Sequence, residues 1–332
     1  MYFTLIVCTY KRSQPLHNLL LSVQKQTLYP NEILIIDGSS DTATELMLSK
    51  NRFENLQYFR VSPSDRGLTK QRNYGIDRVC VESEIVCFLD DDTALENDYF
   101  EQLLHTYKLY PEALGVGGYI TNEIKWFFEG ENYLPTINEF YFDGWKRTDG
   151  KRFIWRKKLG LDTNCPPAYL PEFSHGRSVG FLPPSGKIYP VEQFMGGVSS
   201  FRKSIFKEFK FSSYFEGYGL YEDADFTLRL SMTGKLYVNT SAKLGHFHDA
   251  SGRPNSFKYG KMVVRNGYYV WRVKYPKPPI QAKVKWNLIT LLLTLIRFSN
   301  TFTASKKREA FMESLGRTMG WFSLFFSKPN KS

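Results

Sequence analysis

The chain has 332 residues, of which 42% are hydrophobic, with a formal net charge of +11. This length accommodates one large domain or a domain with an appendage, and the positive charge favours anionic partners such as nucleotides or acidic lipid. No zinc-finger or RNP-like pattern occurs, so nucleic acid is not an expected partner. The four cysteines have no metal-binding spacing, and no basic segment precedes the first apolar run, so we expect a reduced cytoplasmic chain without a signal peptide.

Over residues 1–120, apolar segments of strand length alternate with amphipathic segments of helix length. The predicted strands are Tyr2–Thr9, Glu32–Asp37, Leu56–Val61, Glu84–Leu89 and Leu114–Ile120, and the predicted helices are Ser13–Gln26, Asp41–Ser49, Thr69–Val79 and Asn97–Tyr110. This alternation predicts an α/β fold with a mainly parallel sheet and helices on both faces. Ligands of such sheets bind beyond the carboxyl ends of the strands.

The regular alternation stops between residues 121 and 195, which are rich in aromatic residues, Gly and Pro. So many aromatic residues in a long irregular segment predict an ordered binding region. Regularity returns at Gly196–Arg202, followed by a predicted helix at Tyr221–Met232 and a predicted strand at Leu236–Asn239.

Pro276, Pro278 and Pro279 mark a further boundary, after which two amphipathic helices are predicted. The first, Trp286–Phe298, is shorter than the roughly 20 residues that span a bilayer. The second carries Phe311, Leu315, Met319, Phe322 and Phe326 on one face. Two interpretations remain open: the helices lie in a membrane interface, which their basic flanks favour, or they pack on the rest of the chain or on a second subunit.

Three consecutive aspartates, Asp90, Asp91 and Asp92, end the apolar strand Ile85–Leu89. Carboxylate oxygens grouped at a strand end suit Mg²⁺ or Mn²⁺, whose coordination shell substrate phosphates often complete. The alternative is a solvated acidic turn in which Asp92 or Thr93 caps the next helix.

A second acidic cluster, Glu222, Asp223 and Asp225, opens a predicted helix. A carboxylate placed there can act as a general base towards a hydroxyl group, or it can simply be the first-turn charge that a helix dipole favours. Further on, His246 and His248 alternate along a strand and therefore share a face. Either could be a metal ligand, and either could be structural.

Seven short motifs follow one another in order: Cys8–Arg12, Asp37–Asp41, Arg66–Gly75, Phe88–Asp92, Gly196–Arg202, Glu222–Phe226 and Arg265–Asn266. In order and spacing they resemble the motifs of family-2 glycosyltransferases, which have the GT-A fold. The resemblance extends over roughly residues 1–270, and the segment 121–195 carries no matching motif.

The resemblance implies that Asp223 is the catalytic base and that Asp92 binds Mn²⁺ or Mg²⁺ together with His246 or His248. It implies that Thr9 and Asp37 face the nucleobase and ribose. Substrate or nucleotide contacts are expected for nine residues: Thr9, Tyr10, Arg12, Asp37, Arg66, Arg72, Asp90, Asp91 and Glu222.

The implied domains are a nucleotide-sugar-binding half (1–120), an acceptor-binding and catalytic half (121–275) and an amphipathic helical tail (276–332). The implied activity is inverting transfer from a nucleotide diphosphate sugar, with a UDP-sugar favoured, to a saccharide or lipid-linked acceptor. Such a reaction serves surface polysaccharide or glycolipid assembly, on a cytoplasmic protein associated with the inner face of the cell membrane.

Two other functions are weighed against this one. The first is a nucleotide-sugar-binding protein without turnover, against which Asp92 and Asp223 argue. The second is a phosphatase of the haloacid-dehalogenase type, which also begins its motif with Asp-x-Asp, but Ala94 stands where that motif requires Thr or Val. The sequence leaves the oligomeric state open.

Overall fold

The structure, a computed structural model, describes residues 1–247 and 254–329. The chain forms two compact units, each built from two separate segments. One comprises Met1–Glu123 and Pro184–Gly252, and the other comprises Ile124–Pro183 and Arg253–Ser332.

The elements are numbered in chain order. The strands are β1 Phe3–Thr9, β2 Glu32–Asp37, β3 Leu56–Arg60, β4 Ile85–Asp90, β5 Thr93–Leu95, β6 Ala113–Ile120, β7 Phe127–Phe128, β8 Glu139–Phe142, β9 Trp145–Thr148, β10 Ile188–Val191, β11 Val198–Arg202 and β12 Lys235–His246. The helices are α1 Ser13–Val23, α2 Ala43–Lys50, α3 Leu68–Ile76, α4 Tyr99–Leu109, α5 Lys151–Lys158, α6 Glu222–Ser231, α7 Ser256–Lys274, α8 Ile280–Thr303 and α9 Lys307–Phe326.

The first unit is built on one sheet with the strand order β10-β12-β6-β11-β4-β1-β2-β3, and β5 pairs with β12. Strands β1 to β4 pair in parallel, as predicted. Strand β11 pairs antiparallel with both β4 and β6, so the sheet as a whole is mixed. A strand that pairs in parallel with the strand before it needs a long crossover connection, usually a helix. Strand β11 instead follows an irregular segment, and it runs antiparallel to both of its neighbours.

Helices cover both faces of this sheet, which confirms that part of the predicted fold class. In a strand, successive side chains point to opposite faces. Leu5 of β1 therefore packs in one buried cluster with Leu19 of α1 and Phe100 of α4. Its neighbour Ile6 lies against Gly75 of α3 on the other face.

The second unit contains the antiparallel sheet β7-β9-β8 and the helices α5 and α7 to α9. Strands β7 to β9 and helix α7 are not among the predicted elements. Helices α7 and α9 approach so closely that a Cβ on Gly316 would overlap the backbone carbonyl of Phe257. Trp271 of α7 stacks on Trp286 of α8, with ring centroids 5.4 Å apart. One face of each tail helix is therefore packed inside its own unit.

Helix α8 is longer than the predicted Trp286–Phe298 because it begins directly after Pro279, which suits the start of a helix but cannot continue one. Of the helices in the described ranges, none combines the length and the hydropathy needed to cross a bilayer.

Candidate active site

The loops after β1 and β4 meet because these strands are parallel neighbours, with Cys8 opposite Asp90. Thr9 Oγ1 donates to Asp91 Oδ2 at 2.7 Å. Arg12 Nη1 lies 3.1 Å from Asp91 Oδ1 and 3.3 Å from Asp92 Oδ2. The three aspartates are thus not a solvated turn, since the side chains of Asp91 and Asp92 are buried and both contact the guanidinium of Arg12.

Asp91 is held in a different way from its two neighbours. Burial raises the pKa of Asp91 to about 7, and the Thr9 hydroxyl and the Arg12 guanidinium oppose that rise. Asp90, by contrast, has a partly exposed side chain (39%). Asp90 is therefore the most accessible carboxylate of the triplet, while Asp91 connects the β1 loop to the end of β4.

His246, the last residue of β12, completes a three-residue group. Its Nε2 lies 3.1 Å from Asp92 Oδ1, and its Nδ1 lies 3.3 Å from Glu123 Oε1. Ligand atoms of Asp90, Asp92 and His246 all lie within 4.8 Å of one another. The other predicted histidine ligand, His248, lies outside the described residues.

This donor set fits a divalent cation. Carboxylate oxygens and imidazole nitrogens are both common ligands of divalent metal ions. Burial lowers the pKa of His246, but its hydrogen bonds to Asp92 and Glu123 outweigh burial and raise it to about 10. A cation that bound His246 would have to displace a proton, so the affinity of these residues for a cation would rise with pH.

Glu123 and Asn122 were not predicted from the sequence. Asn122 fixes the backbone of His246, because its Oδ1 accepts from the His246 amide and its Nδ2 donates to the His246 carbonyl, both at 2.9 Å. Both residues follow β6, which lies beside β12 in the sheet, so polar residues after a predicted strand were the signal for them.

Asp223 lies in the first turn of α6. Its Oδ1 accepts from the Ala224 amide at 2.7 Å, and its Oδ2 accepts from the Gly196 amide at 3.3 Å. Burial raises the pKa of Asp223, and these two backbone donors oppose the rise. The carboxylate is thus oriented by the backbone and is a better proton acceptor than a solvated aspartate.

Arg72 of α3 connects the two acidic clusters. Its Nη2 lies 3.6 Å from Asp90 Oδ1, and its Nη1 donates to Glu222 Oε1. Its guanidinium also lies over the rings of Phe88 and Phe211, at 5.7 and 5.2 Å from their centroids. Arg72 and Glu222, both expected at the nucleotide, are instead buried and paired with each other.

The paired glycines of the Gly196–Arg202 motif leave room for this connection. A Cβ on Gly197 would overlap the carboxylate of Asp90, and a Cβ on Gly196 would meet Arg72 and Glu222. The acidic triplet and the acidic cluster of α6 therefore lie next to the same pair of glycines, inside one compact unit.

Asp37 ends β2 opposite Thr9 and is fully buried. Its Oδ1 accepts from the Ser39 amide at 2.7 Å, and its Oδ2 accepts from the Tyr58 hydroxyl at 3.0 Å. Tyr58 lies within the predicted strand Leu56–Val61 but was not predicted as a site residue. Gln71, also unpredicted, joins the two strands by donating to the carbonyls of Thr9 and Ile36.

The remaining predicted contacts lie near this edge of the sheet. Tyr10 is exposed. Arg66 is half-buried just before α3, and its Nε has no hydrogen-bond partner among the described residues.

Comparison with known proteins adds three findings. Residues 4–168 match the family model described as Glycosyl transferase family 2. A glucosyl-dolichyl phosphate glucuronosyltransferase of Haloferax volcanii is 26% identical over 145 residues, which cover 43% of this chain and 44% of that protein. The chain spans less than half the length of the curated relatives it matches.

Two solved structures share the fold. TarS of S. aureus superposes with a TM-score of 0.51 at 15% identity, covering 92% of this chain and 46% of TarS. GalNAc-T7, solved with UDP, GalNAc and Mn²⁺, superposes with a TM-score of 0.51 at 13% identity, covering 90% of this chain and 57% of that one. These shared folds confirm the predicted GT-A fold. The match of residues 4–168 to glycosyl transferase family 2 confirms the family resemblance of the motifs.

Proposed function

We propose that the chain is an inverting glycosyltransferase that moves a sugar from a nucleotide diphosphate sugar to a hydroxyl acceptor. The observation that carries this proposal is the link from Asp90 through Arg72 to Glu222, the neighbour of Asp223. One arginine thus contacts both acidic clusters, which supports a shared site for a cation and a proton-accepting carboxylate. The family match and the glycosyltransferase relatives support the same reaction.

In this proposal Asp90, Asp92 and His246 hold Mn²⁺ or Mg²⁺. When bound, the cation neutralises negative charge on the leaving nucleoside diphosphate. A UDP-sugar is the proposed donor, in line with the UDP and Mn²⁺ found in the GalNAc-T7 structure. Thr9, Tyr10, Asp37 and Arg66, at the strand-end edge, are the proposed nucleoside contacts.

Asp223 is the proposed general base. The acceptor oxygen attacks the anomeric carbon while its proton passes to an Asp223 carboxylate oxygen. The bond from the anomeric carbon to the diphosphate oxygen breaks on the opposite side, and its electron pair leaves with the nucleoside diphosphate. One displacement inverts the configuration, and the backbone amides of Gly196 and Ala224 hold the base in position throughout.

The acceptor and the location are also part of the proposal. We infer a saccharide or lipid-linked acceptor in surface polysaccharide or glycolipid assembly, used at the inner face of the cell membrane. The net charge of +11 and the names of the relatives, which include an O-antigen chain rhamnosyltransferase of Salmonella typhimurium, support this location and pathway class.

A panel of nucleotide sugars tests the proposal, with release of the nucleoside diphosphate as the readout in the presence of Mn²⁺. Asp223→Asn should keep UDP affinity but lose turnover by about 100-fold or more, the usual scale of general-base catalysis. Glu216→Gln is the matched control, because Glu216 is an exposed acid that pairs with Lys70 just before α6. Equal turnover by Asp223→Asn and the unchanged chain would remove Asp223 from the mechanism, and no turnover of any donor would favour a binding protein.

A further inference from the structure

Helix α8 exposes a continuous apolar stripe that the proposed chemistry does not use. Its members follow one another at intervals of three and four residues, so they lie on one face of the helix. They are Ile280, Val284, Leu288, Leu291, Leu295, Phe298 and Phe302, each between 38% and 71% exposed. The opposite face, with Trp286 and Ile289, is buried.

Helix α9 carries a second stripe of the same kind, formed by Phe311, Leu315, Met319, Phe322 and Phe326, all exposed. Its other face packs on α7 through Gly316 and Gly320. The stripes come together where the rings of Phe298 and Phe311 lie 6.3 Å apart. We call the two stripes the hairpin face. Single exposed apolar side chains are ordinary, but a continuous apolar surface marks a binding site.

The charges around the hairpin face are positive. Lys306, Lys307 and Arg308 are exposed together where the turn between the helices leads into α9. The exposed acid Glu309 pairs with Lys306 at 3.2 Å, so three positive charges and one negative charge leave +2 here. Glu313 does not offset this charge, because it is buried and paired with two arginines at 2.8 Å each. A second copy of the chain would bring two such basic rims together, whereas an anionic surface complements them.

We propose that the hairpin face docks on an anionic lipid surface, with α8 and α9 lying in the plane of the interface. Amphipathic helices with basic flanks bury their apolar side chains about 5–10 Å into the boundary between headgroups and acyl chains. The turn lysines and Arg308 then lie at the level of the anionic headgroups. This inference deepens the membrane location in the proposed function, and it identifies the surface responsible.

Vesicle co-sedimentation of the full chain tests the inference, using phosphatidylcholine vesicles with and without phosphatidylglycerol. We expect binding to the mixed vesicles that is at least tenfold tighter than binding to the neutral ones, and that weakens with added salt. Leu288→Ser, Leu295→Ser and Phe298→Ser, combined in one variant, should weaken binding to the mixed vesicles at least tenfold.

The matched control removes a similar amount of exposed apolar surface elsewhere. Val81, Leu109 and Leu134 are 83%, 54% and 88% exposed and lie outside the hairpin, so the combined change of these three to Ser should leave vesicle binding unchanged. Equal losses in the control and hairpin variants would overturn the inference, as would a wild-type chain that binds neither kind of vesicle.

A second variant provides an independent test if the chain with the three changes to Ser in α8 fails to fold. Lys306→Gln, Lys307→Gln and Arg308→Gln leave the apolar stripes intact and should abolish the preference for mixed vesicles.

Light scattering tests whether a second copy of the chain covers the hairpin face instead. A wild-type chain that binds no vesicles, and that forms a dimer which the Leu288, Leu295 and Phe298 changes dissociate, would show that a second copy covers this face. UDP binding is measured in parallel, so that failure of docking and failure of the transferase proposal are told apart.

Discussion

At the scale of single residues, Gly197 leaves no room for a side chain beside the acidic triplet. Gly197→Ala puts a Cβ into the space of the Asp90 carboxylate. We expect divalent-cation affinity and turnover to fall at least tenfold, with a loss of about 1–3 kcal/mol in the free energy of unfolding from overpacking. Manganese titration followed by electron paramagnetic resonance, together with urea unfolding, measures both effects.

Gly150→Ala is the matched control for this substitution. Gly150 has a negative φ, and a Cβ there would meet nothing within 4 Å. Ala is a poorer helix N-cap than Gly, so we expect a loss of at most about 1 kcal/mol in unfolding free energy and no change in manganese affinity. A Gly197→Ala chain that binds manganese normally would contradict the placement of Asp90 in the metal site.

The raised pKa of Asp223 predicts a specific pH dependence. A base must be unprotonated, so turnover should rise with pH through the pKa of Asp223 and then level off. Because burial raises that pKa, the rise should lie above pH 3.9, the ordinary value for aspartate. A profile of kcat/KM against pH measures it.

Two variants assign the inflection in that profile. It should persist in Glu222→Gln and disappear from the residual activity of Asp223→Asn. The first comparison is necessary because burial also raises the pKa of Glu222, to about 8, against the opposing charge of Arg72. An inflection at the ordinary aspartate value, or one that Glu222→Gln removes, would refute this assignment.

The positions of residues at strand ends could be predicted from the sequence. Thr9 and the acidic triplet come together because they lie at the ends of parallel neighbours, and parallel pairing follows from the alternating pattern. Arg72 was expected at the nucleotide, and its burial between two acidic clusters was not predicted. That burial depends on the packing of the arginine beside Phe88 and Phe211, which are distant in the sequence.

At the scale of elements, strands β1, β2 and β4 were predicted closely because each is a largely continuous apolar run, and such runs are typical of a buried parallel sheet. The segment 121–195 was not, because short strands such as β7 and β8 are partly exposed and carry no buried apolar alternation. Helix α7 was missed for a different reason: polar and apolar residues mix along it, and its packed face depends on glycines that usually disfavour a helix.

The packing of α9 on α7 gives a prediction at this scale. In an isolated helix, Gly316→Ala would add about 1 kcal/mol of stability. Here the new Cβ would overlap the Phe257 carbonyl, so we expect a net loss of about 1–3 kcal/mol in unfolding free energy. Ser299→Ala on the exposed side of α8 is the control, and urea unfolding followed by tryptophan fluorescence is the measurement. Stabilisation by Gly316→Ala would show that the two helices can separate at little cost.

At the scale of the whole molecule, the charge of +11 attracts anions while the acidic triplet repels them locally. The two tendencies are reconciled if a divalent cation and a nucleoside diphosphate enter together. UDP with Mn²⁺ should therefore raise the melting temperature more than the sum of the shifts that either produces alone. A ligand at 100 times its Kd adds about 2.7 kcal/mol to the stability of the state it binds, which is readily detected by differential scanning calorimetry.

Substitutions and added salt distinguish binding of UDP at the acidic triplet from attraction of UDP to the net positive charge of the chain. Asp92→Asn removes a proposed metal ligand and should abolish the cooperative part of the shift, whereas Asp98→Asn, outside the site at the start of α4, should preserve it. Added salt screens the long-range attraction of the positive chain for UDP, so it should reduce the shift from UDP alone before it reduces the cooperative part. If UDP alone stabilised the Asp92→Asn and unchanged chains equally, and Mn²⁺ added nothing to either, net charge and not the acidic triplet would account for nucleotide binding.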